Sequence, residues 1–217
     1  MDLQALIRSL YAADSLQGYT DGDIAAMKAR FGAIPAALEA FWRAAGRTPQ
    51  LNFGQDDWLL PENFERWSWL GQCGHLILLN ENQGCCRAGI LRDDLAKPDP
   101  PVYLTNDDKT WEPLSPSVTE FLAAALTYEA VWTFPHSPEE FYWLTPEEVE
   151  VVRAKLDRYP YILKGWFEME VSFYANRPDN LLVLMDVGDQ YQALYGGATE
   201  ESYAALLEVM EGLGEPL

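Results

Sequence analysis

Positive charge is what this chain has least of. Its 217 residues include 15 Lys and Arg against 34 Asp and Glu, a formal net charge of −19. Such a chain is repelled by phosphate backbones and anionic lipid surfaces, so direct binding to nucleic acid or membrane is not expected. A charged partner, if there is one, is basic. The imbalance is steepest at the end: Arg177 is the last basic residue, and eight acids follow it, from Asp179 to Glu215. A second run, Ser137 to Glu150, holds five glutamates and no base. Runs of this kind are usually solvated faces and only sometimes docking surfaces.

Cysteine and histidine are also scarce. Three cysteines, two of them adjacent, do not make a disulfide framework, which points to a reducing cytoplasm. No apolar run approaches the roughly 20 residues of a membrane span. The opening MDLQALIRSLYAADS carries an acid at its second position and no long apolar stretch, so no secretory signal is expected. A cytoplasmic location follows as the expectation.

What is present is material for a core. Hydrophobic residues make up 48% of the chain and aromatics 13%, which excludes a disordered chain. Asp2 to Tyr11 places Leu3, Leu6, Ile7 and Leu10 on one helical face. TDGDIAAMKARFG follows, with Thr20 or Asp21 as N-cap and Gly32 as stop. AIPAALEAFWRAAG is a third helix: Pro35 suits its first turn, Ile34, Leu38, Phe41, Trp42 and Ala45 form a stripe, and Gly46 ends it.

The period then changes. CGHLILLN is continuously apolar from Leu76 to Leu79, as expected of a strand buried on both faces, and CCRAGI and PPVYLTN are further short strands. SPSVTEFLAAALTYEAVW returns to helix, capped by Ser115 or Ser117. Thr133 to Trp143 reads as a packed connector. TPEEVEVVRAKLDRYP has Thr145 as N-cap, Pro146 at the first position and Glu148 completing a capping box. In GWFEMEVSFYA the apolar residues Phe167, Met169, Val171 and Phe173 alternate with Glu168, Glu170, Ser172 and Tyr174, the pattern of one strand with one buried face. LLVLMDV and QYQALYG are two more strands, and Thr199 to Met210 is a last helix. Strands and helices follow one another alike in 73–132 and 160–212, a weak hint of an echoed unit. The expected fold class is α+β. N-terminal helices pack on a mostly antiparallel sheet within 1–132, and 133–217 adds a helix, a three-stranded meander and a helix, continuous with the core as one unit.

Reactive residue types do not assemble into a catalytic pattern. Cys73, His75, Cys85 and Cys86 are the right types for zinc, but a turn at Asn82 to Gly84 puts Cys73 about 26 Å from the turn, at roughly 3.3 Å per residue. Cys85 and Cys86 also point to opposite faces. Buried or incidental cysteines are the simpler reading. His75 sits in a central strand and His136 between prolines, neither with a nucleophile partner in a known arrangement. No phosphate-binding, dinucleotide or nucleophile-elbow motif occurs. Carboxylate pairs such as Asp56/Asp57, Asp93/Asp94 and Asp107/Asp108 are expected by chance in so acidic a chain. No catalytic residue, metal ligand or cofactor is therefore assigned, and the chain is not expected to be an enzyme. The tryptophan-rich stretches WSWL and FYWL suit a core, a ligand groove or a partner interface.

Several motifs in order resemble the SUKH superfamily, which includes fungal regulators of cell-wall synthesis and many bacterial proteins. The matching residues are Pro35, Leu38, Phe41, Trp42 and Gly46, then Glu81, Asn82, Gln83 and Gly84, then Pro101, Val102 and Tyr103, and finally Tyr128 and Glu129. The resemblance covers Ile34 to Trp132. The strand after the turn departs from it, with Cys86, Arg87 and Ala88 where the family often has an aromatic. The resemblance implies helices against an antiparallel sheet and a non-catalytic role. Bacterial members are often immunity proteins that neutralise a toxin by binding it; other members are regulatory or scaffold proteins that bind a protein or small ligand. Charge and position in predicted loops select Asp56, Asp57, Glu62, Asp93, Asp94, Asp107, Asp108, Glu139 and Glu140 as candidate contacts for a basic toxin domain.

Overall fold

The computed structural model describes residues 1–217, the side chain of Phe53 apart. The fold is α+β, as expected, with two antiparallel sheets. The chain divides into two compact units. The first comprises Met1, Leu3 and 15–123; the second comprises Asp2, 4–14 and 124–217. The division thus falls inside a helix and not at residue 132, and most of the first helix belongs with the C-terminal half.

That first helix, α1 (Leu3–Leu10), starts where the Asp2 carboxylate accepts from the Gln4 and Ala5 amides. In the first unit, α2 (Asp21–Phe31) is opened by a reciprocal cap between Thr20 and Asp23. α3 (Ala36–Ala45) follows, with Pro35 just before its first residue and not within its first turn. Its stripe is buried: Leu38, Phe41, Trp42 and Ala45 are all under 5% exposed, enough apolar surface to anchor the helix. The first sheet is built from β1 (Asp57–Trp58), β2 (His75–Asn80), β3 (Arg87–Leu91), β4 (Val102–Thr105) and β5 (Glu112–Ser115), in sequence order. A short helix α4 (Pro61–Arg66) and a 3-10 turn at Ser68–Gly71 connect β1 to β2. The helix α5 (Val118–Val131), capped by Ser117 through the Glu120 amide, is shared by the two units.

The second unit carries a six-stranded sheet in the order β11-β6-β10-β9-β8-β7. Its strands are β6 (Tyr142–Leu144), β7 (Asp157–Trp166), β8 (Met169–Ala175), β9 (Asn180–Asp186), β10 (Tyr191–Gly197) and β11 (Glu215–Pro216). Helices α6 (Pro146–Lys155) and α7 (Glu200–Met210) pack on one face, around Leu144, Val149, Val152, Tyr174, Leu182, Leu184 and Leu206. α6 has the expected start: Thr145 accepts from the Glu148 amide and the Glu148 carboxylate accepts from the Thr145 amide.

The single strand expected over 165–175 is two. Phe167 and Glu168 form a tight turn between β7 and β8, with φ of 53° and 64°. Apolar alternation hides this turn, because Phe167 falls in phase with Met169 and Val171. The turn is of the kind that normally takes Asn-Gly. Both residues are therefore in a left-handed conformation that costs about 1 kcal/mol or more for each non-glycine residue. From Val171 to Ala175 every residue is buried, so β8 is covered on both faces and not on one. Replacing the exposed Glu168 by glycine relieves that conformation, and denaturant unfolding is expected to show a gain of about 0.5–1 kcal/mol.

Candidate functional site

The hairpin between β2 and β3 positions the site. Its loop is closed by the Glu81 amide donating to the Cys86 carbonyl at 3.0 Å, so the loop spans Asn82 to Cys85, one residue longer than expected. Glu81 organises this loop from inside. Its side chain is fully buried, and its Oε2 accepts from the Gln83 and Cys85 amides, each at 2.9 Å. Asp56, 7% exposed, accepts from the Asn82 amide at 3.2 Å. Gly84 has φ 76°, a left-handed position that the turn requires. The E-N-Q-G motif is thus a carboxylate-centred turn, and its residues hold the fold.

A bulge then decides which residues meet. β2 and β3 pair Ile77 with Gly89, but Leu79 with Ala88 and Asn80 with Arg87, so Leu78 is an extra residue in β2. Strict alternation would put Asn80 on the inward face with Leu76. The bulge turns it outward beside Arg87, whose Nε donates to Asn80 Oδ1 at 2.8 Å. The inward face, with Leu76, Leu79, Ala88, Ile90, Val102 and Leu104, is buried. The outward face carries His75, Ile77, Arg87, Gly89 and Tyr103 in adjacent registers. A Cβ on Gly89 would lie 3.2 Å from both the His75 Cβ and the Ile77 Cδ1, so glycine lets these side chains close over the strand.

Two tryptophans cover this outward face. Trp111 stacks on His75 with ring centroids 3.6 Å apart and planes 13° from parallel. Trp69, 40% exposed, comes from the 3-10 turn and lies under the Arg87 guanidinium at 5.1 Å. Arg87 also pairs with Asp108, a residue held at φ 62° in the loop between β4 and β5. Asp107 shapes that loop by accepting from the Lys109 and Thr110 amides, which hold its carboxyl below the usual range. Between the tryptophans lies a hollow of about 270 Å³, lined also by Gln72, Cys73, Gly74, Ile77, Arg87 and Asp108.

The ionisable groups here are poorly set for proton transfer or nucleophilic attack. Burial pushes the Cys73 thiol up, with a smaller push from Asp108, and burial followed by Glu81 does the same to Cys85. Both thiols are held protonated, the unreactive form. Burial holds His75 below the ordinary histidine value, so its ring is neutral. What the arrangement does offer is a rigid aromatic recess whose charges are already paired.

Of the nine acidic candidates, seven lie in the first unit and two, Glu139 and Glu140, in the second. Asp57, opposite Asn80 in register, shares the row that continues through Arg87 to Thr105, and Asp107 and Asp108 follow in the next loop. Of those three only Asp108 lines the hollow. Asp56 is buried under the turn. Glu62 accepts from the Tyr19 hydroxyl at 2.6 Å, Asp93 and Asp94 lie in a 3-10 turn after β3, and Glu139 and Glu140 are exposed in the second unit. Of the motif residues, Pro35, Phe41 and Trp42 are buried, Gly46 caps α3, and Tyr103 is half-exposed beside His75. Cys73 lies against the Trp69 carbonyl at 3.5 Å, while Cys85 and Cys86 are in the turn at the other end of β2.

Sequence reasoning passed over Arg87, Asn80 and Trp111 as site residues. WSWL flagged Trp69, but only the bulge joins Asn80 to Arg87. No protein-family model, curated protein or solved structure matches this chain.

Two measurements check the geometry. Glu81→Ala removes an acceptor shared by two amides and is expected to cost about 1.5–3 kcal/mol in urea unfolding, whereas Glu81→Gln, which keeps an oxygen in place, costs less. For His75 the folded value lies below the unfolded one. Its contribution to stability is therefore present above the unfolded pKa of about 6.5 and is lost as pH falls through the folded value. NMR titration of the His75 ring should give a pKa under 6.5, and Trp111→Ala, which uncovers the ring, should raise it.

Proposed function

We propose that this chain is a non-catalytic binding protein of the immunity type, which neutralises a bacterial toxin domain by covering its surface. The observation that carries the reading is the hollow between Trp69 and Trp111. It is aromatic, partly open and rigidly walled, the character of an interface hot spot. At about 270 Å³ it falls at or below the small end of sites for drug-sized ligands, and it suits one inserted side chain.

Three further points support the reading. The net charge of −19 favours a basic partner such as a nuclease, since opposite potentials speed encounter. Asp107, exposed next to the lining residue Asp108, supplies acid beside the hollow without entering it, as in a polar rim around a contact centre. The residues that resemble the SUKH pattern are scaffold: a buried helix stripe and a turn built on Glu81. The resemblance thus bears on the fold, and the recess supplies the contact.

The test is to co-express the chain with the product of the gene that adjoins its own, assayed for toxicity. A one-to-one complex is expected, with loss of toxin activity and with affinity that falls as salt rises. Trp69→Ala should weaken binding about 30-fold, the effect of a hot-spot residue worth about 2 kcal/mol. Isolation of a complex with a housekeeping protein, and no protection against the neighbouring product, would replace this reading with a regulatory one.

A further inference from the structure

The charges in the hollow indicate what enters it. Arg87 is committed on three sides: its Nε donates to Asn80, its guanidinium pairs with Asp108, and it lies over the Trp69 ring. Asp108 in turn spends its charge on Arg87. An entering anion meets the Asp108 carboxylate already beside Arg87, so it gains little net attraction there. An entering cation meets Arg87 as a like charge, beside a carboxylate that Arg87 already balances. A neutral ring needs neither charge. It covers Ile77 and the indole walls, and the pair stays intact.

Size and rigidity narrow the choice further. The stack on His75 and the cation above Trp69 fix both indoles before anything binds, which lowers the ordering cost for an incoming ring. The space holds one planar group and little more. From these observations we infer that the hollow is a socket for one uncharged aromatic side chain, tyrosine or tryptophan, carried by the protein partner. This rests on the reading that the chain binds a protein and names the group recognised. The partner's basic surface would then meet the acidic rim, while its anchor in the socket is neutral.

The test uses the intact chain and free probes. In ¹H–¹⁵N spectra, indole and p-cresol are expected to shift the Trp69 and Trp111 indole N–H signals saturably, with millimolar affinity. Methylguanidinium and benzoate should bind at least tenfold more weakly. Trp69→Ala should abolish the indole response, and Trp69→Phe, which keeps an aromatic wall, should retain it. Asp108→Ala frees Arg87 and should bring in benzoate without removing indole, a change that a merely structural role for Asp108 does not produce.

The inference is overturned if neither indole signal shifts saturably, if Trp69→Ala responds as the parent does, or if a charged probe binds more tightly than indole. Sub-micromolar affinity for free indole would overturn the assignment to a partner's side chain and make the hollow a small-molecule site. The two claims separate cleanly. A toxin complex unaffected by Trp69→Ala sinks the socket and leaves immunity standing; a socket that takes indole in a chain that binds no toxin does the reverse.

Discussion

The outward face of the first sheet depends on one extra residue, Leu78. With the bulge, Asn80 lies beside Arg87 and accepts its Nε proton. Without it, Asn80 would turn toward the apolar interior, where a primary amide lacking a partner costs on the order of 1–3 kcal/mol. Arg87 would then lose the contact that aims its guanidinium at Trp69 and Asp108. The hollow, its paired charges and its rigidity therefore follow from a backbone irregularity.

The loop that follows β2 is held by two buried carboxylates, one in the loop's own stem and one just before β1. Glu81 and Asp56 accept from amides of the turn, so the hairpin end is fixed by side-chain hydrogen bonds. The acids of this chain thus divide by task. Some, such as Glu81, Asp56, Asp107 and Glu148, satisfy backbone amides inside turns and helix starts. Asp108 balances Arg87, and Asp57 is simply exposed. Net charge describes the whole chain's preference for partners, and it says little about which acid touches one.

Much of the fold was legible because local signals agreed with tertiary structure. The caps at Thr20 and Thr145 and the stripe of α3 were readable, since capping boxes and 3.6-residue spacing act locally. Two features were not. The turn at Phe167 and Glu168 uses residues that disfavour it, so the strand pattern ran straight through the corner. The connector before α6 contains β6, whose three residues are too short for any period to declare. Of the site, Trp69 and Asp108 were visible as types of residue, but their meeting was not. It requires a 3-10 turn, a bulge and a positive φ at Asp108, none of which a hydrophobic pattern encodes.

The central claim is that the contact surface is this aromatic recess on the first sheet. Hydrogen exchange of the chain alone and in complex with the proposed protein partner tests it most directly. The account predicts new protection over Trp69 to Gly74 and over Asp107 to Trp111, the two segments that wall the hollow. Protection confined to the second unit, with those two segments unchanged, would contradict it.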